Sequence, residues 1–134
     1  MTRICITGGP RTGKTTLARS MGRIGLDIRC TDDLIAELAH LGNDAWSEAS
    51  RLVGLWFDEP GPWIIEGVAV SRALRKWKDA HPGEPPPVDR VIYLAEPHEE
   101  ITPKQIAMMK GVFTVHSRDV EPWLRSHGIT TEYL

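Results

Sequence analysis

Residues Gly8-Gly9-Pro10-Arg11-Thr12-Gly13-Lys14-Thr15 have the types and spacing of a phosphate-binding loop, G-x-x-x-x-G-K-[ST]. Glycines let such a loop turn tightly enough for its backbone N–H groups to converge on a phosphate. Lys14 would place a point charge between the β- and γ-phosphates of a nucleoside triphosphate. The Thr15 hydroxyl can ligate Mg²⁺, and Thr16 completes the binding set. A second group with chemical potential is Thr31-Asp32-Asp33. Here a carboxylate could orient or deprotonate an acceptor hydroxyl facing the γ-phosphate. Asp33 could hold the acceptor, or serve only the start of a helix.

These residues need elements to hold them. Arg3-Ile4-Cys5-Ile6-Thr7 reads as a short buried strand, and Thr15 to Met21 as a helix, so the loop has the strand-loop-helix setting that it requires. Leu26 to Cys30 is a second expected strand. Its C-terminal end, where ligands bind in open parallel sheets, carries the aspartate pair. Thr31 is the expected N-cap of a helix running to about Leu41, which Gly42 ends. Asn43 or Asp44 can cap a third helix, in which Trp46, Ala49, Leu52, Val53 and Trp56 share one face. Trp63-Ile64-Ile65-Glu66-Gly67 is a third strand that ends in a carboxylate.

A helix from Val70 to Ala80 follows, with Arg72, Arg75 and Lys76 at i, i+3 and i+4. Their joint projection suits either an acceptor's phosphate or plain solvation. The triple proline Pro85-Pro86-Pro87 favours an extended surface connector. Arg90 to Leu94 is a fourth strand, Pro103 opens a helix to about His116, and Ser117 to Ser126 continues as helix. Ile129 to Tyr133 is a short fifth strand. The stripe Ile106, Met109, Val112, Phe113, His116 reads as core. Five tryptophans raise the idea of base stacking. Trp46 and Trp56 fit core packing better, which leaves Trp63, Trp77 and Trp123 open.

Alternating strands and helices imply an α/β fold with a parallel sheet covered on both faces, and 134 residues suit one domain over 1–134. A net charge of −2 argues against an extended nucleic-acid surface. No apolar run approaches the roughly 20 residues that span a bilayer. With no signal-peptide pattern and two cysteines expected to be small buried hydrophobes, a reducing, cytoplasmic setting is expected.

Together, Gly8 to Thr15, the Thr31-Asp32-Asp33 strand end, Ile64-Ile65-Glu66-Gly67 and Val91-Ile92-Tyr93-Leu94 resemble the small P-loop kinases. That group includes nucleoside-monophosphate-kinase-like proteins, shikimate and gluconate kinases, and polynucleotide kinases. The resemblance implies a single P-loop NTPase domain with a five-stranded sheet in order 2-3-1-4-5, and ATP-dependent, Mg²⁺-requiring phosphoryl transfer. The acceptor would be a nucleotide, a nucleic-acid 5′ end or another small hydroxyl compound. The resemblance also implies a base role for Asp32 and acceptor contacts for Arg72 and Arg75. Two departures stand out. Ala95 to Pro103 contains no arginine where related kinases carry a paired-arginine lid, leaving Lys104, Lys110 and Arg118 as the nearest cations. Glu66 stands where the common metal-binding pattern has an aspartate, and would hold Mg²⁺ through water. The alternative to a kinase is a nucleotide-binding regulatory module, or an ATPase with little transfer to an acceptor.

Overall fold

The computed structural model describes residues 2–22 and 26–134. Five parallel strands form one sheet in the order β2-β3-β1-β4-β5. They are β1 (Arg3–Gly8), β2 (Asp27–Cys30), β3 (Trp63–Glu66), β4 (Arg90–Leu94) and β5 (Glu132–Tyr133). The implied strand order is the observed one.

The two faces follow from the period-2 alternation of strand side chains. Ile4, Ile6, Ile64, Ile92 and Leu94 point to one face, where Ala18, Leu17 and Met21 of α1 (Lys14–Met21) cover them. Cys5, Trp63, Ile65 and Val91 point to the other. There they meet α3 (Ala45–Phe57) and α4 (Val70–Ala80), with Val115, Val120 and Leu124 from the C-terminal helices. β2 is an edge strand, half-exposed rather than buried, so Cys30 is only partly covered. Both cysteines are free thiols, and β3 separates the strands that carry them.

Several local expectations need correction. The helix after β2 is short: α2 spans Thr31–Glu37 and gives way to a 3₁₀ segment, Ala39–Asp44. Thr31 is its first helical residue rather than its N-cap. The Thr31 hydroxyl instead accepts from the Ala69 N–H at 3.4 Å, tying α2 to the turn before α4. Asp44 precedes α3 without capping it through its side chain. Pro86 and Pro87 are buried, so the proline run is not purely a surface connector. The expected core stripe on α5 (Pro103–Val115) is only partly buried. Val112 and His116 are inside, whereas Ile106 is 37% and Phe113 48% exposed. Beyond α5 the helix widens into one π-turn, His116–Val120, before α6 (Glu121–Ser126). Pro122 has no N–H to offer the carbonyl four residues earlier, which favours a local break in the α-helical ladder.

Gly8 closes β1 with φ +141°, and a Cβ there would lie 2.2 Å from the Leu94 carbonyl oxygen of the paired strand. Neither backbone can yield without breaking the ladder. Gly8→Ala should therefore cost about 3 kcal/mol or more. Gly54→Ala, with open space around the new methyl in mid-α3, should stabilise by about 0.5–1 kcal/mol. Urea unfolding of the two variants checks the contrast, and equal effects would contradict the packing described.

Candidate functional site

The phosphate-loop residues occupy the turn between β1 and α1. Gly13 adopts a left-handed conformation (φ 90°) at the N-cap of α1, and neither a side-chain cap nor an acidic residue sits in the first helical turn. The end of that helix is thus free to meet an anion. Inside the loop, the Thr12 hydroxyl donates to the Gly9 carbonyl at 2.9 Å. Lys14 Nζ donates to the same carbonyl at 2.5 Å and to Thr12 Oγ1 at 3.3 Å. Lys14 is 4% exposed. Burial pushes its ammonium below the ordinary lysine range, against the pull of Asp32 and Glu66. Arg11, at φ 57°, departs from the loop: its side chain pairs with Glu99 and its carbonyl accepts from the His98 N–H at 2.8 Å. The segment after β4, which lacks arginine, therefore lies against the loop through His98 and Glu99.

The ends of β1, β2 and β3 bring a polar cluster together. Register pairs Cys30 with Glu66, and Ile6 with the same residue from the other side. Glu66 is fully buried. Its Oε2 accepts the Thr15 hydroxyl, and its Oε1 faces Cys30 Sγ at 3.5 Å. Burial raises the Glu66 carboxyl above its usual range, partly offset by Thr15, and pushes the Cys30 thiol up to about 11. Asp32 stands at the rim and accepts the Val68 N–H at 3.0 Å through Oδ1. Gly67, at φ +141°, is the reason that these segments can approach. A Cβ there would sit 1.8 Å from Thr31 Oγ1 and 2.9 Å from Asp32 Oδ1. Asp33 is exposed in the first turn of α2 and makes no side-chain hydrogen bond among the described residues.

The two arginines expected to act together are separated. Arg72 places its guanidinium 5.5 Å from the Trp46 ring centroid, at a cavity of about 260 Å³ lined also by Val68, Met108, Val112 and Val115. Arg75 turns instead to Asp119, at 3.7 Å, and does not line that cavity. Trp46, expected in the core, is half-buried at this cavity. Its position on the apolar face of α3 carried no hint of Arg72. Trp63, Trp77 and Trp123 all pack in or against the core under α4, so none of them offers a free stacking platform. Lys110 lines a different hollow, with Tyr93 and Phe113, and Arg118 pairs with Asp119. α5 reaches the loop through Met109, whose Cγ would be 2.6 Å from a Cβ on Gly9. On the other face of the sheet a cavity of about 390 Å³ opens beside Gly13 and Thr16, bounded by Leu17, Leu94, His98 and Leu134.

One polar chain beneath the site had no signal in the sequence. Thr7 Oγ1 meets Ser71 Oγ at 2.7 Å, Ser71 Oγ meets His116 Nδ1 at 2.9 Å, and His116 Nε2 meets Thr131 Oγ1 at 3.0 Å. All four residues are buried. Burial lowers the His116 value to about 4, so the ring is neutral at pH 7. The unfolded chain then binds the extra proton between the ordinary histidine value, about 6.5, and about 4. Stability contributed by the neutral ring is complete above about pH 6.5. It falls on acidification by about 1.4 kcal/mol per pH unit, on the order of 3 kcal/mol in all. Glu66, with a raised value, acts in the opposite sense. The His116→Gln variant, which cannot titrate there, isolates the effect: its denaturant-derived stability should fall less steeply than wild type from pH 6.5 to 4. Parallel profiles would contradict a buried neutral ring.

No known family profile matches the chain, and no curated protein sequence matches it. Solved structures do. A shikimate kinase from Bacteroides thetaiotaomicron superposes with a TM-score of 0.52 at 12% identity, covering 98% of this chain and 85% of the other. A shikimate kinase from Acinetobacter baumannii, in complex with shikimate, superposes with a TM-score of 0.55 at 12% identity, covering 99% and 82%. The chain therefore has the α/β P-loop fold of shikimate kinases. No helix among the described residues is long and apolar enough to cross a membrane.

Proposed function

We propose that this chain is an ATP-dependent kinase that transfers a phosphoryl group to the hydroxyl of a small molecule. The observation that carries the reading is the convergence of Lys14, Thr15, Glu66 and Asp32 at the ends of three adjacent strands, next to the cavity that holds Arg72. Shared fold with shikimate kinases supports it. In this reading the loop backbone from Gly8 through Gly13, with Pro10 and Arg11 shaping the turn, cradles the β-phosphate. Lys14 leaves the Gly9 carbonyl for the phosphates. The nucleoside lies in the cavity beside Thr16.

The donor set fits Mg²⁺. Thr15 and Glu66 offer hard oxygen atoms in mutual contact, with Asp32 nearby, and the described residues hold no closed cluster of metal ligands. Mg²⁺ characteristically takes one or two protein oxygens and completes its shell with water and substrate phosphates. Thr15 and, through water, Glu66 would hold it, and bound there it would neutralise charge on the phosphate oxygens. Asp32 orients the acceptor hydroxyl and takes its proton as the oxygen bonds to the γ-phosphorus and the bond to the β–γ bridging oxygen breaks, releasing ADP. Catalysis comes from positioning and charge neutralisation more than from covalent chemistry.

One observation favours a second reading, a nucleotide-binding module or ATPase. The segment after β4 brings Glu99 to the loop rather than an arginine to the phosphates. Incubation with Mg-ATP and a pool of hydroxyl compounds, following the γ-phosphoryl group by ³¹P NMR, separates the two. A new phosphate ester supports the kinase. Inorganic phosphate alone identifies an ATPase, and bound ATP without turnover identifies the module.

A further inference from the structure

The cavity beside Asp32 has a lining that restricts what it can hold. It is joined to the catalytic cluster through one residue: Val68 gives its N–H to Asp32 and its side chain to the cavity wall. The rest of the wall is Trp46, Ala107, Met108, Gly111, Val112 and Val115, and the single charge on it is Arg72. Most described arginines hold a carboxylate, but Arg72 holds none and rests on the Trp46 ring at 5.5 Å. Its guanidinium is oriented by the indole and available to an anion. Apart from Arg72, the wall side chains offer one hydrogen-bonding N–H, the Trp46 indole, and no oxygen acceptor, so most ring hydroxyls on a polyhydroxylated ligand would lose water without gaining side-chain partners. The volume, about 260 Å³, exceeds the roughly 150 Å³ that encloses benzene and is small for a nucleotide.

Resting on the kinase reading above, we infer that the acceptor is a single-ring, largely apolar hydroxyl compound with one anionic group. The hydroxyl faces Asp32, the ring lies against Trp46, Met108 and Val112, and the anion meets Arg72. The site is built for such a molecule rather than for a polyhydroxylated ring or a nucleotide.

The test compares three probes with Mg-ATP: 3-(hydroxymethyl)benzoate, its uncharged counterpart benzyl alcohol, and shikimate as a polyhydroxylated carboxylate. Transfer should favour 3-(hydroxymethyl)benzoate over each of the others by at least about tenfold in kcat/KM. Arg72→Gln should abolish the advantage over benzyl alcohol, since it removes the charge from an exposed side chain. A preference for shikimate, or an unchanged ratio in Arg72→Gln, would overturn the inference. Calorimetric titration of the same probes, with a non-hydrolysable Mg-ATP analogue present, keeps the outcome separate from that of the kinase reading. If nothing is phosphorylated, yet 3-(hydroxymethyl)benzoate binds and Arg72→Gln weakens it about tenfold, the site inference stands and the kinase reading fails. No binding of that probe at millimolar concentration overturns the inference itself.

Discussion

Lys14→Ala should cut turnover by about 10²–10³-fold or more and weaken Mg-ATP binding. The ammonium is buried and already directed at the rim of the loop, where it donates to the Gly9 carbonyl at 2.5 Å. Burial has removed much of its water, which lowers its affinity for a proton but also reduces solvent screening of its charge towards an anion that enters. Removing one preorganised donor of this kind costs about 10²–10³-fold in rate. Losing a charge-assisted contact to phosphate should weaken affinity by about tenfold or more. Alanine also leaves the Gly9 carbonyl without its Nζ donor, so a thermal melt must accompany the kinetics to show that the fold survives. Calorimetry with Mg-ATP and a coupled ADP assay are the measurements. A folded variant with wild-type affinity and turnover would remove the nucleotide site from the loop.

Asp32→Asn should separate binding from chemistry. The Asp32 carboxylate uses Oδ1 to accept the Val68 N–H at 3.0 Å, an interaction that an asparagine oxygen reproduces. The close packing around Gly67 is likewise kept, because the two side chains have the same shape. What asparagine cannot do is accept a proton. Phosphoryl transfer should therefore fall about 10²-fold or more with near-normal ATP affinity. If wild type transfers to no acceptor, and the substitution alters nucleotide affinity alone, Asp32 belongs to metal or fold and the regulatory-module reading takes over. A full-rate Asp32→Asn enzyme would leave catalysis to positioning without a base.

The loop and the sheet were legible for a local reason. Gly8 to Thr15 is a contiguous motif between a strand and a helix, and the central strands β1, β3 and β4 are short apolar runs, β3 ending in a carboxylate. Strand order came through resemblance rather than through periodicity, and the register that pairs Cys30 and Ile6 with Glu66 agrees with it. Helix ends were less legible. Thr31 looked like a cap from its neighbours, but the turn at Gly67 recruited its hydroxyl instead. Likewise, helical spacing put Arg72 and Arg75 on one side of α4 without saying which neighbours each would meet. Packing gave Arg72 to Trp46 and Arg75 to Asp119. The chain of Thr7, Ser71, His116 and Thr131 joins four segments far apart in sequence. Hydrogen bonding across such distances leaves no periodic trace along the chain, because each partner needs only to be small and polar where the fold brings it inward. By itself the sequence determined the phosphate loop, the parallel α/β architecture and the carboxylates at the strand ends. The tertiary structure alone decided which side chains close the cavity beside Asp32. That choice rests on how α3, α4 and α5 pack on the sheet, and packing is a property of facing surfaces, not of local spacing.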